Sequence, residues 1–146
     1  MVVEPILQFP DFTQRFVLHT DASNFGLGAV LVQRDQKGRE TVVGYASRSL
    51  NRAEQNYHTS EKECLAVVWA VTYFHKFLYG QYFTVVTDHQ ALKVLNSSNP
   101  PKGRIARWNI TLMEYHYVVE YRKGTQHTNA DALSRLPPTQ LPVQPN

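Results

Sequence analysis

The chain has 146 residues, of which 42% are hydrophobic, 12% aromatic and 18% charged. This length is enough for one domain with a buried core, and the composition excludes an intrinsically disordered protein. Fifteen Lys and Arg against twelve Asp and Glu give a formal net charge of +3, a bias towards polyanions that is too weak to identify a partner by itself.

The first half of the chain predicts an N-terminal arm at residues 1–14, followed by three strands. The strands are expected at residues 15–21, 26–33 and 40–47. Their short connections favour an antiparallel meander, and the alternation in the first strand is typical of burial on one face. Gly26 and Gly28 stand where the second strand begins, which predicts a bulge or the close approach of a ligand or another backbone there.

The second half of the chain alternates helices with two more strands. The predicted elements are a helix at 60–79, a strand at 83–88, a short helix at 89–95, a helix at 104–115, a strand at 117–121 and a helix at 129–135. The apolar fourth strand is typical of a central strand that runs parallel to its neighbour. The order βββαβααβα therefore predicts an α/β fold with a mixed sheet, and the Pro/Gln-rich residues 137–146 are expected to be a disordered tail.

The sequence shows no signal peptide and no apolar run of the roughly 18 residues that a membrane helix needs. The one cysteine, Cys64, excludes an intramolecular disulfide and lies in an apolar helical run, which favours a buried thiol in a reducing compartment. We therefore expect an intracellular, cytoplasmic protein with no membrane partner.

Four acidic residues stand at the ends of predicted elements. Asp21 and Asp88 end two strands, each after a threonine, while Glu63 and Asp131 open two helices. Each position also has a purely structural explanation. A strand-end Asp forms turns, an acid near a helix start suits the helix dipole, and the spacing from Ser60 to Glu63 is that of a capping box.

Convergence of these four acids would need a cation, because two carboxylates about 4 Å apart repel by roughly 4 kcal/mol at an effective dielectric of 20. Carboxylates without a His/Cys cluster suit Mg²⁺ or Mn²⁺. Two such ions about 4 Å apart can activate water and stabilise the leaving oxygen of a phosphodiester. The acids therefore predict a two-metal phosphodiester site if the two strand ends are neighbours.

Four motifs follow one another along the chain around these acids. They are Thr20-Asp-Ala-Ser with Gly26-Leu-Gly-Ala-Val-Leu, Tyr57-x-x-x-Glu-Lys-Glu-Cys-Leu-Ala, Thr87-Asp-His-Gln-Ala-Leu and Asn129-Ala-Asp-Ala-Leu-Ser-Arg. Together they resemble the ribonuclease H domain of gypsy-type LTR retrotransposons, which directly follows the reverse transcriptase in a polyprotein. The resemblance implies a ribonuclease H-like fold, here over residues 15–136, with a five-stranded mixed sheet flanked by helices. It also implies that the arm joins the polymerase to the nuclease.

The resemblance implies that Asp21, Glu63, Asp88 and Asp131 are the catalytic and metal-binding carboxylates. Glu61 is a rival on the same turn, but Glu63 is preferred because it directly precedes the apolar triplet that matches the family's. The implied cofactor is a pair of Mg²⁺ ions, for which Mn²⁺ can substitute.

Further polar residues are candidates for binding substrate. They are Ser23, Thr59, Ser60, Gln90, Arg104 and Arg107. Gln90 matches a position that touches the minor groove in related enzymes, and the polar residues before the long helix match backbone contacts. The two arginines lie beside Trp108 and suit a backbone groove, although a solvated helix face with Trp108 in the core explains them equally well.

Two departures from the related enzymes affect binding and product release. Their basic protrusion is reduced here to residues 96–104, which predicts weaker hybrid binding by the isolated domain. His127 lies in the loop where they carry an auxiliary histidine, but closer to the last acid; a solvent-exposed histidine without a role is the alternative.

The expected function is therefore metal-dependent cleavage of the RNA strand of RNA–DNA hybrids. The expected partners are the hybrid and a polymerase domain of the same polyprotein, with the isolated domain a monomer, in the cytoplasm or in virus-like particles. The main alternative is a non-catalytic module that keeps the fold and only holds nucleic acid. A DNA-strand transferase is a second alternative, disfavoured because its late acid is a Glu and the last acid here is Asp131.

Overall fold

The structure, a computed structural model, describes residues 9–88, 91–96 and 103–122. Its five strands are β1 (Arg15–Ala22), β2 (Gly26–Arg34), β3 (Glu40–Ser49), β4 (Tyr82–Thr87) and β5 (His116–Tyr121). They form one sheet in the order β3-β2-β1-β4-β5, in which β1, β2 and β3 are an antiparallel meander and β4 and β5 run parallel to β1. The predicted mixed sheet is therefore confirmed.

Strand β1 lies in the middle of this sheet and is buried on both faces. Phe16 and Leu18 face the main core, while Val17 faces a smaller cluster with Val30 and Val86 on the opposite side. The prediction of burial on one face was wrong because alternation within one strand does not show what covers its polar side. Burial on both faces fixes the position of the strand end, where Asp21 lies.

The irregularity in the meander lies away from the two glycines. The register between β2 and β3 shifts between Leu31 and Val32, because β3 has one extra residue between the partners of these two. Gly28 instead pairs regularly with Asp21 across the β1–β2 ladder. The bulge alternative for the start of β2 is therefore wrong, while the other alternative, the close approach of a ligand or another backbone, stays a prediction.

The helices are α1 (Arg52–Gln55), α2 (Thr59–Tyr73), α3 (His75–Leu78), a 3₁₀ helix (Lys93–Asn96) and α4 (Gly103–Met113). The single long helix predicted at 60–79 is divided at Phe74, whose buried ring packs on Tyr73 and Phe77 and whose backbone leaves the helical region. Of the predicted helix at 89–95, the described part is this 3₁₀ turn. The predicted helix at 129–135 and the tail lie outside the described residues.

Helix α2 crosses the centre of the sheet. It packs on β1 and β2 on one side and against α4 on the other, so that Lys62 to Val68 are all buried. This position brings the first turns of α2 over the carboxyl end of β1. In the described part of the chain, no helix is long and apolar enough to cross a bilayer.

Candidate active site

The carboxyl ends of β1 and β4 bring Asp21 and Asp88 to one edge of the sheet. The parallel register pairs Leu18 with Val85 and His19 with Val86, and its continuation by two residues places Asp21 beside Asp88. Asp21 is 4% exposed and Asp88 is partly buried. Ligands of α/β proteins gather outside the carboxyl ends of parallel strands, so this edge is where a reactive site is expected.

Glu63 reaches the same place from α2. The backbone N–H of Ala22, at the end of β1, lies near enough to the Glu63 carboxylate to lower its pKa. Among the described residues, Glu63 Oε2 is buried with no hydrogen-bond partner. Burial, followed by the nearby charges of Asp21 and Asp88, raises the pKa of Glu63 from 4.5 to about 8. The structure therefore brings three of the four predicted acids together.

The rival glutamate, Glu61, has a structural role instead. Its Oε1 accepts a hydrogen bond from the His58 backbone N–H at 3.2 Å, and both its carboxylate oxygens bind Arg104 Nη2 at 3.0 and 3.1 Å. Helix α2 begins at Thr59 with His58 as its N-cap, so Glu61 occupies the capping position. The predicted capping box from Ser60 to Glu63 was wrong, and Glu63 is left to point at the acids.

Arg122 is a site residue that the sequence interpretation missed. Its guanidinium donates hydrogen bonds to Asp21 Oδ1 at 3.0 Å and to the carbonyl oxygen of Thr20. The backbone N–H of Arg122 donates to the carbonyl oxygen of Thr87 at 2.9 Å. One residue thus ties the ends of β1, β4 and β5 together, with side chains only 8% exposed for Arg122 and 5% for Asp21. The only signal in the sequence that could have identified Arg122 as a site residue was its position directly after the last predicted strand.

A cavity of about 240 Å³ opens beside the three acids. It is lined by Ala22, Ser23, Asn24, Thr59, Lys62 and Glu63. Ser23 Oγ accepts hydrogen bonds from the N–H groups of Phe25 and Gly26, which holds the turn between β1 and β2. The cavity therefore joins this turn to the positive end of α2.

A family model described as an RNase H-like domain found in reverse transcriptase matches residues 11–115. The chain belongs to this family. It is 44% identical over 136 residues to the Retrovirus-related Pol polyprotein from transposon 297 of Drosophila melanogaster, a match that covers 93% of this chain and 12% of the polyprotein. The RNase H-like domain thus spans 12% of the length of that relative. These matches confirm the resemblance to retrotransposon reverse transcriptases.

Solved structures show the same fold. The foamy viral protease-reverse transcriptase in complex with dsDNA matches with a TM-score of 0.67 at 19% identity, over 84% of this chain and 26% of that chain. RNase H1 from the halophilic archaeon Halobacterium salinarum matches with a TM-score of 0.56 at 17% identity, over 82% of this chain and 93% of that chain. The five-stranded sheet with its helices is therefore a ribonuclease H fold, as predicted.

The predicted substrate-binding residues of the RNase H-like domain fall into three groups: those at the cavity, those away from it and those outside the described residues. Ser23 and Thr59 line the cavity, and Ser60 lies next to Thr59 on the first turn of α2. Arg104 is engaged by Glu61 and lies 4.0 Å from the centre of the Tyr57 ring, whereas Arg107 is exposed on α4. The remaining predicted site residues lie outside the described part of the chain: Gln90, His127 and Asp131.

The chemistry of the three acids suits a hard divalent cation. Within the described residues no three acidic, His or Cys side chains already surround one ion position, and Asp131 lies outside them. The donor atoms are nevertheless all carboxylate oxygens, the type that Mg²⁺ and Mn²⁺ prefer. The raised pKa of Glu63 and its buried Oε2, which has no hydrogen-bond partner among the described residues, both indicate that the ionised carboxylate lacks a counter-charge, which a cation would supply. The residues present therefore fit such a metal.

Without metal, Glu63 should make the RNase H-like domain less stable as the pH rises. The pKa of Glu63 is raised from 4.5 to about 8 on folding, so the folded state holds one more proton than the unfolded chain between these values. The free energy of unfolding should fall across this window by a few kcal/mol. Urea unfolding in chelator across this pH range should show that Glu63→Gln removes most of the decrease in the free energy of unfolding with pH. Equal slopes in Glu63→Gln and the wild type would contradict the shift, and the exposed Glu114→Gln should keep the wild-type slope.

Arg122→Ala should destabilise the folded domain strongly. It leaves the buried Asp21 carboxylate without its partner, and breaking a buried ion pair costs about 3–5 kcal/mol. The matched control is Arg39→Ala, which breaks the exposed Arg39–Asp35 pair of similar length and should leave stability nearly unchanged. Urea unfolding in chelator measures both. Similar stabilities for the two variants would show that Arg122 does not hold the strand ends.

Proposed function

We propose that this RNase H-like domain is a metal-dependent endoribonuclease that cuts the RNA strand of RNA–DNA hybrids. The observation that carries the proposal is Glu63, which lies buried beside two aspartates with an oxygen that has no hydrogen-bond partner among the described residues. Burial, followed by the charges of Asp21 and Asp88, raises its pKa. A fold that collects three like charges at one sheet edge gains nothing in stability from them. Such an arrangement is typical of a site that binds a counter-charge for chemistry.

In this proposal Asp21, Glu63, Asp88 and the predicted Asp131 hold two Mg²⁺ ions, for which Mn²⁺ can substitute. Bound there, the ions supply Lewis-acid stabilisation of a phosphodiester and a water of lowered pKa. The chain itself orients the ligands. The packing of α2 on β1 places Glu63, the Arg122 guanidinium holds Asp21, and the β1–β4 pairing sets Asp21 beside Asp88.

Substrate choice is assigned to the cavity beside the acids. Ser23, Asn24 and Thr59 offer hydroxyl and amide groups that can contact a ribose 2′-hydroxyl, which is the group that distinguishes RNA from DNA. None of these side chains is an apolar wedge or a base-stacking ring. We therefore expect recognition of hybrid shape and sugar, without preference for base sequence.

The relatives are Pol polyproteins, and one neighbouring structure is a protease-reverse transcriptase. These names support the proposal that the domain works beside a polymerase domain of the same polyprotein, in the cytoplasm or in virus-like particles, and is a monomer when isolated.

A non-catalytic, hybrid-holding module is the second candidate, and Arg122 is the observation that favours it. Its guanidinium already neutralises Asp21 at 3.0 Å, as a permanent internal counter-charge would. Under this alternative the hybrid is bound but never cut. The two functions differ in one measurement, which is cleavage of labelled hybrid with Mg²⁺, with Mn²⁺ and with chelator.

Asp88→Asn should abolish cleavage while the domain stays folded. Loss of an outer-sphere residue costs metal sites about 10–100-fold, so loss of a direct ligand should lower the cleavage rate by at least about 100-fold. Because the change also removes one of three clustered charges, the metal-free variant should be at least as stable as the wild type. Hybrid cleavage in Mg²⁺ and thermal unfolding in chelator measure the two effects.

The matched control is Asp35→Asn, in the turn between β2 and β3 at the opposite end of the sheet, which should keep wild-type cleavage. RNA duplex and DNA duplex should stay intact with the wild type. Full activity of Asp88→Asn would remove Asp88 from the site. Hybrid binding by the wild type without cleavage in either metal would establish the non-catalytic module instead.

A further inference from the structure

Lys62 is a largely buried lysine without a described counter-charge. It lies on α2 between Glu61 and Glu63 and is only 7% exposed. Within the part of the chain that the structure describes, its ammonium group makes no hydrogen bond or ion pair. Its Nζ is not among the buried, unpartnered atoms of the described residues, so the apolar stem is buried while the charged end stays accessible.

The acids around Lys62 are committed elsewhere. Glu61 binds Arg104 and the His58 N–H, and Asp21 binds Arg122. The pKa of Glu63 is raised, first by burial and then by the charges of Asp21 and Asp88, so Lys62 does not neutralise this glutamate. Lys62 is therefore not the internal counter-charge of the acid group.

The space that Lys62 lines is suited to an anion. Lys62 lines the cavity of about 240 Å³ together with the polar residues Ser23, Asn24 and Thr59. The first turn of α2, a helix of 15 residues, contributes its positive dipole end at Thr59. A phosphodiester group has the single negative charge and the acceptor oxygens that match these donors.

Glu63 lines this cavity and also belongs to the acid group, so an anion bound by Lys62 lies next to the reacting position. We propose that Lys62 binds a backbone phosphate of the RNA strand close to the phosphate that is cut. The inference rests on the proposed function for the choice of strand. Lys62 then positions the substrate by charge, while the neighbouring hydroxyl and amide groups contact the ribose.

The test uses hybrid binding by the 146-residue chain carrying Asp88→Asn, so that the hybrid stays intact. In this background Lys62→Met keeps the buried stem and removes the charge. It should weaken hybrid binding about tenfold at low salt, the effect of losing one charge-assisted hydrogen bond. The slope of log K against log salt should fall by about 1. Lys62→Arg, which keeps the charge, should restore most of the affinity.

The matched control is Lys37→Met, on the exposed turn between β2 and β3 at the far end of the sheet. It should leave the affinity unchanged. Circular dichroism should show both variants folded, and Lys62→Met should be about as stable as its parent because it keeps the buried apolar stem and removes an accessible charge that has no partner among the described residues. If the Met variant does not fold, Lys62→Gln takes its place with the same expectations.

A second measurement assigns the strand. Hybrids with one neutral methylphosphonate are scanned along the RNA strand and, separately, along the DNA strand. A methylphosphonate at one position of the RNA strand should weaken hybrid binding by the chain that keeps Lys62. The same methylphosphonate should have no effect on the Lys62→Met variant, because that variant has already lost the contact. A sensitive position in the DNA strand would overturn the strand assignment.

Unchanged binding by Lys62→Met, or an equal loss with Lys37→Met, would overturn the proposal. A wild-type chain that does not cut the hybrid in Mg²⁺ but still needs Lys62 to bind it would refute the proposed nuclease and leave the phosphate contact established. The two failures are therefore distinguishable.

Discussion

The parallel pairing of β1 with β4 is the constraint on which the site depends. Its register sets Asp21 beside Asp88, and the burial of β1 on both faces prevents the strand from sliding by a residue to separate them. Helix α2 packs across the same strand, so Glu63 arrives at a fixed height above the strand end. The packing of the core brings the acids together. The free energy gained from apolar packing elsewhere offsets the electrostatic repulsion between them.

That repulsion is offset differently for each acid. Asp21 has the Arg122 guanidinium at 3.0 Å, whereas Glu63 has a buried Oε2 with no hydrogen-bond partner among the described residues. Glu63 therefore retains a proton far above its usual range, with a pKa of about 8. A bound cation would have to displace that proton, so the acid with the weakest internal support is the one that gains most from a metal.

Periodicity and turn chemistry were enough to predict the sheet, because each strand is short, apolar and bounded by turn residues. They could not predict the division of the long helix at Phe74, which depends on a ring finding space in the core. Nor could they assign the helix cap to Glu61, since two glutamates two residues apart both have capping spacing for neighbouring start residues. Arg122 was missed because its partners are distant in sequence and meet only when β5 joins β4.

Two basic residues, Arg122 and Lys62, lie near the acids and differ in what their charges contact. Arg122 lies under the strand ends and is bound to Asp21, so its charge is used by the folded chain itself. Lys62 lies on the open side, lines the cavity and has no described partner. One positive charge thus stabilises the acids from within, and the other is left facing the space where an outside anion would enter.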